Sequence, residues 1–301
     1  MLYAANCDFP FPSKQTSVAL GIFDGVHLGH RAVLKAAVDQ KPLGLMPSVF
    51  TFTTKSIKPR AKELAPTILS QQTKRSILAE LDMELVLSPD FTEIKDYTAE
   101  AFIKEILKDK MNAKILCCGE NFKLGKNACV DAVELRDIAA GYDMETIILP
   151  PVGYKGEMIS SSRIRKALEH GEMNDVNAML GRRYSIDFVV SKGNRLGHQL
   201  GFPTINQEFP ENFVVPRYGV YYSEVLLGTT RYRAITNIGV KPTVMAMTPL
   251  AETHLLEFDG DLYGERVLVS LLQFVRPERE FSSVEDLKQA IRRDIDDLKK
   301  R

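Results

Sequence analysis

A cluster of glycines and histidines follows the first predicted strand. The run Gly21-Ile-Phe-Asp-Gly-Val-His-Leu-Gly-His30 contains two of the five histidines, three residues apart. Gly25 and Gly29 allow the backbone to turn tightly, and His27 and His30 have ring N–H groups that donate hydrogen bonds to phosphate oxygens. A helix that begins here presents its first N–H groups to an anion. The run predicts a nucleotide-binding turn; the alternative is an ordinary strand-to-helix turn capped by the histidines.

A second polar segment, Ile159-Ser-Ser-Ser-Arg-Ile-Arg165, comes directly before a predicted helix over 164–170. Ser161 lies at the helix start, with Arg163 and Arg165 just inside it. Basic side chains in a first turn oppose the helix dipole, and this arrangement favours a bound anion. The alternative is a serine cap with solvated arginines.

Three further features lie in the second half of the chain. The segment 192–206 contains glycines that suit a loop able to close over phosphates, namely Gly193, Gly197 and Gly201. Thr204 and Asn206 are two apart on an extended stretch, so both point to one face and offer oxygen ligands for Mg²⁺ beside ATP. Glu252 has the chemistry of a general base for an alcohol substrate. The alternatives are a glycine-rich hairpin and a solvated strand glutamate.

The elements that position the first two segments alternate in type. Short apolar runs predict strands over 18–23, 48–52, 84–87, 114–118 and 145–149. Segments with helical periodicity predict helices over 30–39, 70–81, 99–107 and 130–140. Strands without polar alternation, separated by helices, indicate a doubly wound α/β domain with a parallel sheet.

The pattern changes near Gly181. Alternating stretches then predict short antiparallel strands of a small β-barrel or sandwich, over 185–191, 220–226, 232–237, 253–258 and 266–274. The chain ends in a predicted helix with an apolar stripe from Val284 to Leu298, opened by a capping box of Ser282 and Glu285. The domain boundary is predicted near residue 182, which gives domains 1–182 and 183–301.

Composition limits the class of function. The 301 residues contain 39 basic and 39 acidic side chains, so no net positive field favours nucleic acid or an anionic membrane. No apolar stretch approaches the roughly 20 residues of a membrane helix, and the N-terminus does not resemble a secretory signal. Four cysteines form no C-x-x-C pair. We expect a cytoplasmic protein whose partners are small molecules. The sequence does not determine its oligomeric state, and a homo-oligomer is one of the open alternatives.

The first half resembles a known enzyme family. His27 to His30 and the serine–arginine segment match the His-x-Gly-His and Ser/Thr-x-Arg motifs of the nucleotidyltransferase superfamily. With Gly119-Glu-Asn-Phe122, their spelling is similar to the adenylyltransferase domain of prokaryotic bifunctional riboflavin kinase/FAD synthetases. The resemblance implies attack by the FMN phosphate on the α-phosphorus of ATP. It implies that His27, His30, Ser161 and Arg163 hold the ATP phosphates and that Asn121 helps to place the flavin or the metal. Gly25, Gly29 and Arg165 remain candidate nucleotide-binding residues from their spacing.

The second half resembles the riboflavin kinase domain over its whole length. The matching segments are Gly201-Phe-Pro-Thr-Ile-Asn206, Tyr218-Gly-Val-Tyr221, Asn237-Ile-Gly-Val-Lys-Pro-Thr243, Glu252-Thr-His254 and Phe274-Val-Arg-Pro-Glu278. The resemblance implies that Thr204 and Asn206 bind Mg²⁺ and ATP phosphate, and that Glu252 deprotonates the ribityl 5′-hydroxyl. Ile205 stands where the family has alanine.

One departure keeps alternatives open. Where the family has Phe-Asp-Pro-His-Pro after its second strand, this chain reads Phe52-Thr-Thr-Lys-Ser56, so Thr53 and Lys55 replace an aspartate and a histidine. The predicted function is flavin cofactor biosynthesis: riboflavin to FMN, then FMN to FAD, with ATP and Mg²⁺. The alternatives are a riboflavin kinase whose first domain binds nucleotide without forming FAD, and a non-catalytic flavin-binding regulatory module.

Overall fold

The computed structural model describes residues 1–7, 13–53, 65–125, 128–192, 201–242 and 247–300. These residues form two compact units, each described by itself. Unit 1 comprises residues 1–65 and 71–160, and unit 2 comprises residues 66–70 and 161–301. The predicted boundary near residue 182 falls within unit 2 and, as a boundary between functional domains, stays a prediction.

Unit 1 is built on a six-stranded parallel sheet. The strand order is β1-β4-β3-β2-β5-β8, with β1 at Leu2–Ala4, β2 at Thr16–Leu20, β3 at Met46–Phe50, β4 at Leu85–Leu87, β5 at Ala113–Gly119 and β8 at Glu145–Leu149. Two small hairpins complete the strands of the unit, β6 at Lys123–Leu124 with β7 at Val130–Asp131, and β9 at Gly153–Tyr154 with β10 at Glu157–Met158. Strands β2, β3 and β5 consist mainly of buried residues because helices cover both faces of the sheet.

The helices of unit 1 divide between the two faces. Their bounds are Leu28–Val38 (α1), Gln71–Glu80 (α2), Phe91–Ile94 (α3), Ala99–Ala101 (α4, continued as a π-helix over Phe102–Lys110) and Ala132–Ala140 (α5). A short 3₁₀ turn covers Lys41–Leu43. The π-helix and α5 share one apolar core with the sheet, which includes Cys118. The opposite face meets α1, where the Ser17 hydroxyl donates to the Ala37 carbonyl at 2.7 Å.

Unit 2 contains a seven-stranded antiparallel sheet in the order β11-β17-β14-β15-β16-β13-β12. Its strands are Tyr184–Ile186 (β11), Val190–Ser191 (β12), Ile205–Glu208 (β13), Gly219–Leu227 (β14), Thr230–Pro242 (β15), Met247–Leu255 (β16) and Leu268–Arg276 (β17). The first two strands are successive parts of one segment yet lie at opposite edges of the sheet. Since Val189 also bridges to Arg266, just before β17, the sheet closes into a small barrel.

Three helices complete unit 2: Ser161–His170 (α6), Met173–Leu180 (α7) and Val284–Lys299 (α8). Asn177 of α7 accepts from the Tyr184 backbone N–H at 2.7 Å and donates to the Leu271 carbonyl at 3.3 Å. Helix α8 packs on one face of the barrel, where Arg276 and Asp294 form an ion pair at 2.8 Å. All three helices therefore dock on the barrel.

Residues 66–70, which we call the strap, belong to unit 2 although the chain on both sides of them belongs to unit 1. Thr67 forms a parallel bridge with Phe213, and its N–H donates to the Asn212 carbonyl at 2.7 Å. The Ser70 hydroxyl donates to the Asp187 carboxylate at 2.5 Å. Asp187 is 4% exposed, so the strap reaches a buried charge of unit 2.

The structure confirms the predicted fold class and differs in three details. Strand β1 pairs with β4 at the sheet edge, and β13 pairs with β16; neither was predicted. The predicted capping box of Ser282 and Glu285 was wrong. The helix begins one residue later, because the Ser283 hydroxyl accepts from the Asp286 N–H at 3.1 Å and so satisfies a first-turn donor.

Candidate functional site

The glycine-histidine turn of unit 1 lies where the strand order reverses. Strands β2 and β5 are neighbours, and later strands follow outward from each of them, β3 and β4 on one side and β8 on the other. Ligands of open parallel sheets bind at the carboxyl ends of the strands at such a point. The segment after β2 leads to His27, and the segment after β5 contains Asn121. The structure therefore places both candidates at the expected edge of this sheet.

The turn between β2 and α1 has an unusual backbone. Phe23, Gly25 and Val26 have φ values of 52°, 85° and 40°. Only glycine adopts this left-handed region without a steric cost, and a β-branched residue such as Val26 is strained there. Phe23 and Val26 are 1% and 0% exposed, so burial of their side chains holds the strained turn in place.

His27 caps helix α1. Its Nδ1 accepts from the His30 backbone N–H at 3.3 Å. An accepting Nδ1 is unprotonated, so a neutral His27 has its proton on Nε2, which is then a donor. The two imidazole rings stack with centroids 3.6 Å apart, and a side chain at Gly29 would approach the His27 ring at 3.2 Å. The nitrogen that caps the helix and the nitrogen that carries the proton are therefore different atoms of one ring.

The other candidates of unit 1 lie at strand ends. Asn121 is exposed, and a side chain at Gly119 would approach its Oδ1 at 3.1 Å. Thr53 pairs with Asp90, which caps α3 through the Thr92 N–H. A carboxylate therefore lies beside position 53, although it is already bonded to a helix N-terminus. Lys55 is outside the described residues.

The serine–arginine segment begins α6 and so belongs to unit 2. Ser161 is the first residue of the helix, and Arg163 lies in its first turn, which has no acidic residue. Arg165 donates from Nε to the Pro66 carbonyl at 2.7 Å. This bond ties α6 to the strap, and the role of Arg165 at a nucleotide stays a prediction.

The candidate kinase residues lie in one row across the barrel. Asn206 of β13 is opposite Glu252 of β16, which is opposite Asn237 of β15. Residues directly opposite on antiparallel strands share a face, and adjacent strands are about 5 Å apart. The same row continues through Val220 to Arg276, which is bound by α8. The structure thus brings Asn206 and Glu252 together on the face that packs against α8.

Asn206 and Thr204 differ in their surroundings. Asn206 is 6% exposed, and its Oδ1 has no hydrogen-bond partner among the described residues. Thr204 is half-buried directly before β13. Ile205 is opposite Thr253 and 8% exposed, so its larger side chain occupies the barrel interior and not the face of Asn206. Gly201 has a φ of +85°, while Gly193 and Gly197 lie outside the described residues.

Two residues with clear contacts were not predicted for the kinase site. Asn237 donates from Nδ2 to Glu278 Oε1 at 3.0 Å. A side chain at Gly239 would overlap the same carboxylate, so the glycine leaves room for Glu278. The segment beginning at Asn237 was noted as a family match, but no pattern in the sequence alone shows that its amide lies beside Glu252.

Lys74 is the corresponding unpredicted residue of unit 1. It lies on α2 and is 6% exposed, and its ammonium contacts the turn before α1. The sequence does indicate its burial, because Lys74, Ile77 and Leu78 lie at positions i, i+3 and i+4, the spacing of one helix face. In the structure all three residues are buried. A lysine in an apolar stripe has to find polar partners inside the protein.

Two kinds of feature are absent from the described part of the chain. Groups of three or more His, Cys, Asp or Glu side chains able to hold a metal are absent from this part of the chain. Among the same residues, every helix is too short or too polar to cross a membrane.

Comparisons with known proteins agree with the geometry of both units. The family model for FAD synthetase matches residues 11–163, and that for riboflavin kinase matches residues 180–301. A bifunctional riboflavin kinase/FMN adenylyltransferase from Escherichia coli K12 is 32% identical over 287 residues, which cover 94% of this chain and 91% of the relative. The protein of the same name from Bacillus subtilis strain 168 is 30% identical, over 92% of this chain and 89% of the relative.

A solved structure resembles the whole chain. The crystal structure described as a macrolide-efflux protein from Streptococcus pneumoniae has a TM-score of 0.86 and 28% identity, and covers 99% of this chain and 98% of its own. The family models together match nearly the full length, and the relatives extend across both units. The chain therefore belongs to the family of bifunctional riboflavin kinase/FMN adenylyltransferases.

Proposed function

We propose that this chain makes flavin nucleotides in two ATP-dependent steps. Unit 2 phosphorylates riboflavin to FMN, and the second step adenylylates FMN to FAD with release of pyrophosphate. The observation that supports the proposal most is the row on the barrel, where a carboxylate and a buried amide oxygen are opposite each other on adjacent strands. Phosphoryl transfer from ATP to an alcohol needs a base for the hydroxyl and oxygen ligands for the cation that accompanies the phosphates, and these two side chains have that chemistry.

In the kinase step, Glu252 acts as the general base. Its carboxylate takes the proton of the ribityl 5′-hydroxyl as that oxygen attacks the γ-phosphorus of ATP, and ADP leaves. Glu252 is exposed in a regular strand, so a substrate has access to it. Its location in a strand of the barrel favours this role, because the hydrogen-bonded sheet holds the backbone of Glu252 in a fixed position.

The surroundings of Asn206 fit a divalent cation. A buried amide oxygen without a donor is rare in a folded protein and is satisfied by a hard cation such as Mg²⁺. Asn206 and Thr204 are the residues proposed to hold it. When bound, the ion neutralises phosphate charge. Glu252 then remains the group that moves the proton.

In the adenylyl step, the FMN phosphate oxygen attacks the α-phosphorus of ATP. No protein nucleophile or proton transfer is needed, so binding and charge stabilisation do the work. His27 supplies Nε2–H and helix α1 its N-terminal N–H groups. Arg163, with Ser161 and His30, is proposed to hold the phosphates as well, and Asn121 to help place the flavin.

The replacement at residue 53 favours a second candidate, a kinase whose other half binds nucleotide without making FAD. Asp90 lies beside Thr53 but is engaged in a capping box with Glu93, which lowers its freedom to replace the missing aspartate. Restoring Asp at 53 and His at 55 is expected to increase FAD formation under this alternative. No increase would count against it.

The four cysteines lie in the described part of the chain and form no disulfide bond there. Cys117 and Cys118 are buried in β5. This supports the proposal that the chain works in the cytoplasm on the small molecules ATP, riboflavin and FMN.

The test is a time course with the full chain, riboflavin, ATP and Mg²⁺, in which riboflavin, FMN and FAD are separated by chromatography. FMN followed by FAD is the expected result. FMN without FAD would support the second candidate, and no conversion would overturn the enzymatic proposal in favour of a flavin-binding module.

A matched variant assigns the base. Glu252→Gln keeps the size of the side chain and removes its basicity, so riboflavin phosphorylation is expected to fall about 10²- to 10⁴-fold. FAD formation from added FMN serves as the control and is expected to stay within twofold. A kinase rate unchanged by the substitution would exclude Glu252 as the base.

A further inference from the structure

The buried ammonium of Lys74 is bound to the turn that precedes helix α1. Its Nζ donates to the Ile22 carbonyl at 2.5 Å and to the Thr51 hydroxyl oxygen at 2.9 Å. The Thr51 hydroxyl donates in turn to the same Ile22 carbonyl at 2.9 Å. Thr51 is 1% exposed. One carbonyl of the turn is therefore held by two donors, one of them charged.

The residues after Ile22 need such a restraint. Phe23 and Val26 adopt left-handed backbone conformations, which are strained in residues other than glycine and persist only when the surroundings enforce them. The Ile22 side chain is 57% exposed and contributes little packing of its own. The restraint on this residue consequently acts through its carbonyl, and Lys74 is its charged donor.

The conformation of the turn determines where the histidines lie. The Phe23 ring contacts the His30 ring edge-to-face, with centroids 5.3 Å apart, and His30 stacks on His27. A change at Phe23 thus moves the ring against which His30 packs, and through His30 it affects the position of His27. The Asp24 carboxylate lies close enough to Lys74 to favour its charged form.

We propose that Lys74 is a positioning residue for adenylyl transfer, whose ammonium fixes the Ile22 carbonyl and thereby the turn that presents His27 and His30 to ATP. The proposal rests on the proposed function of the first step. Lys74 does not touch substrate; it acts through the turn.

Stability alone does not explain a lysine at this position. A buried ammonium costs free energy that an apolar side chain of similar length does not. In Lys74→Met, the Ile22 carbonyl would keep the bond from Thr51; the Thr51 hydroxyl would lose the bond that it accepts from Lys74 but would still donate to that carbonyl. We expect this variant to fold at least as stably as the parent while losing the charged restraint.

The experiment measures kcat and KM for FAD formation from FMN and ATP in Lys74→Met. A shift of the histidines by a fraction of an ångström is expected to lower kcat/KM for ATP about 10- to 100-fold, with KM for FMN within twofold. Riboflavin phosphorylation by the same preparation is expected to stay within twofold. If the lysine were purely structural, Lys74→Met would lower the unfolding midpoint together with both activities, and would not separate ATP from FMN.

The matched control is Lys35→Met on α1, where the lysine side chain is 73% exposed and paired with Asp39. It is expected to leave both activities unchanged. Lys74→Gln keeps an N–H donor without the charge and is expected to retain more adenylyl transfer than the methionine variant; it also replaces that variant if the latter does not fold.

Two outcomes are decisive and distinguishable. A parent chain that forms FAD while Lys74→Met forms it equally well overturns the positioning role and leaves the proposed function intact. A parent chain that forms no FAD overturns both.

Discussion

Two buried side chains of unit 1 titrate outside their usual ranges. Burial lowers the pKa of Lys74 from 10.5 to about 8, partly offset by Asp24. Burial raises the pKa of the Cys117 thiol from 9.0 to about 12, with smaller contributions from Cys118 and Asp39. Both shifts favour the neutral form, because both groups lie in the apolar interior. Their effects on stability therefore have opposite signs as pH rises.

The first prediction concerns Lys74 and pH. Below about pH 8, Lys74 is charged in the folded protein, which bears the full cost of burying that charge. Between pH 8 and 10.5, Lys74 is neutral in the folded protein but still protonated in the unfolded chain. The free energy of unfolding therefore rises with pH over this range. The free energy of unfolding increases by about 3 kcal/mol, because each unit of pKa difference between the folded and unfolded states corresponds to about 1.36 kcal/mol. Urea unfolding of the parent and Lys74→Met should show their difference shrink over this range.

The thiols provide the control for that measurement. Above pH 9 the unfolded chain ionises Cys117 while the folded chain does not, so stability falls from this cause in both proteins and cancels in the difference. Curves for parent and Lys74→Met that stay parallel from pH 7.5 to 10.5 would contradict a buried lysine charge.

Some residues of the site could be read from the sequence and others could not. His27, His30, Asn206 and Glu252 stood out because their types and spacing suit phosphate, metal or proton transfer. Asn237 and Glu278 are 41 residues apart and meet only through the strand register. Lys74 offered a signal in its helical stripe, but its partners at Ile22 and Thr51 are defined by tertiary structure alone.

At the scale of elements, periodicity predicted the regular helices and strands well. The amphipathic stripe of α2 and the apolar run of β5 are local patterns, and the structure confirms both. Strand β1 is only three residues long, and its pairing with β4 is non-local. The sequence of the strap has no periodic pattern. In the structure, the strap forms a single bridge with Phe213 and side-chain hydrogen bonds. Such elements are defined by distant partners.

The second prediction tests the strap. Ser70→Ala removes the hydroxyl that donates to Asp187, whose other carboxylate oxygen has no partner among the described residues. Removing a hydrogen-bond donor from a buried carboxylate lowers the free energy of unfolding by about 1–3 kcal/mol. The ion pair of Asp187 with Arg266 offsets part of this loss. We expect the urea midpoint of unit 2 to fall accordingly.

The control for the strap is Thr67→Val. Its hydroxyl bond to the Asn212 carbonyl is exposed, so we expect a change within about 0.5 kcal/mol. Equal effects of the two substitutions would show that the buried position of Asp187 does not matter.

At the scale of the whole molecule, the two units are not two consecutive pieces of chain. Unit 2 takes residues 66–70 from within the sequence of unit 1, and it also contains α6 and α7. Helix α7 bonds to Tyr184 and Leu271 through Asn177. The compact unit therefore begins before the boundary that composition suggests.

The third prediction follows for dissected chains. A fragment 161–301 retains the bonds of Asn177, whereas a fragment 183–301 loses both and exposes the barrel surface under α7. We expect the longer fragment to unfold at a higher temperature by several degrees, because 1 kcal/mol corresponds to roughly 2–8 °C for domains of 60–250 residues. Equal melting temperatures would show that α6 and α7 add nothing to the barrel.

The strap also has a consequence for the order of synthesis. Thr67 and its partner Asn212 are 145 residues apart, and Ser70 precedes Asp187 by 117. At roughly 5–20 residues per second, the ribosome makes Asn212 about 7–30 s after Thr67. Throughout that interval, the Thr67 N–H lacks the carbonyl to which it donates in the folded protein. Unit 2 therefore completes its fold only late in translation, although the strap, which is part of it, is synthesised early.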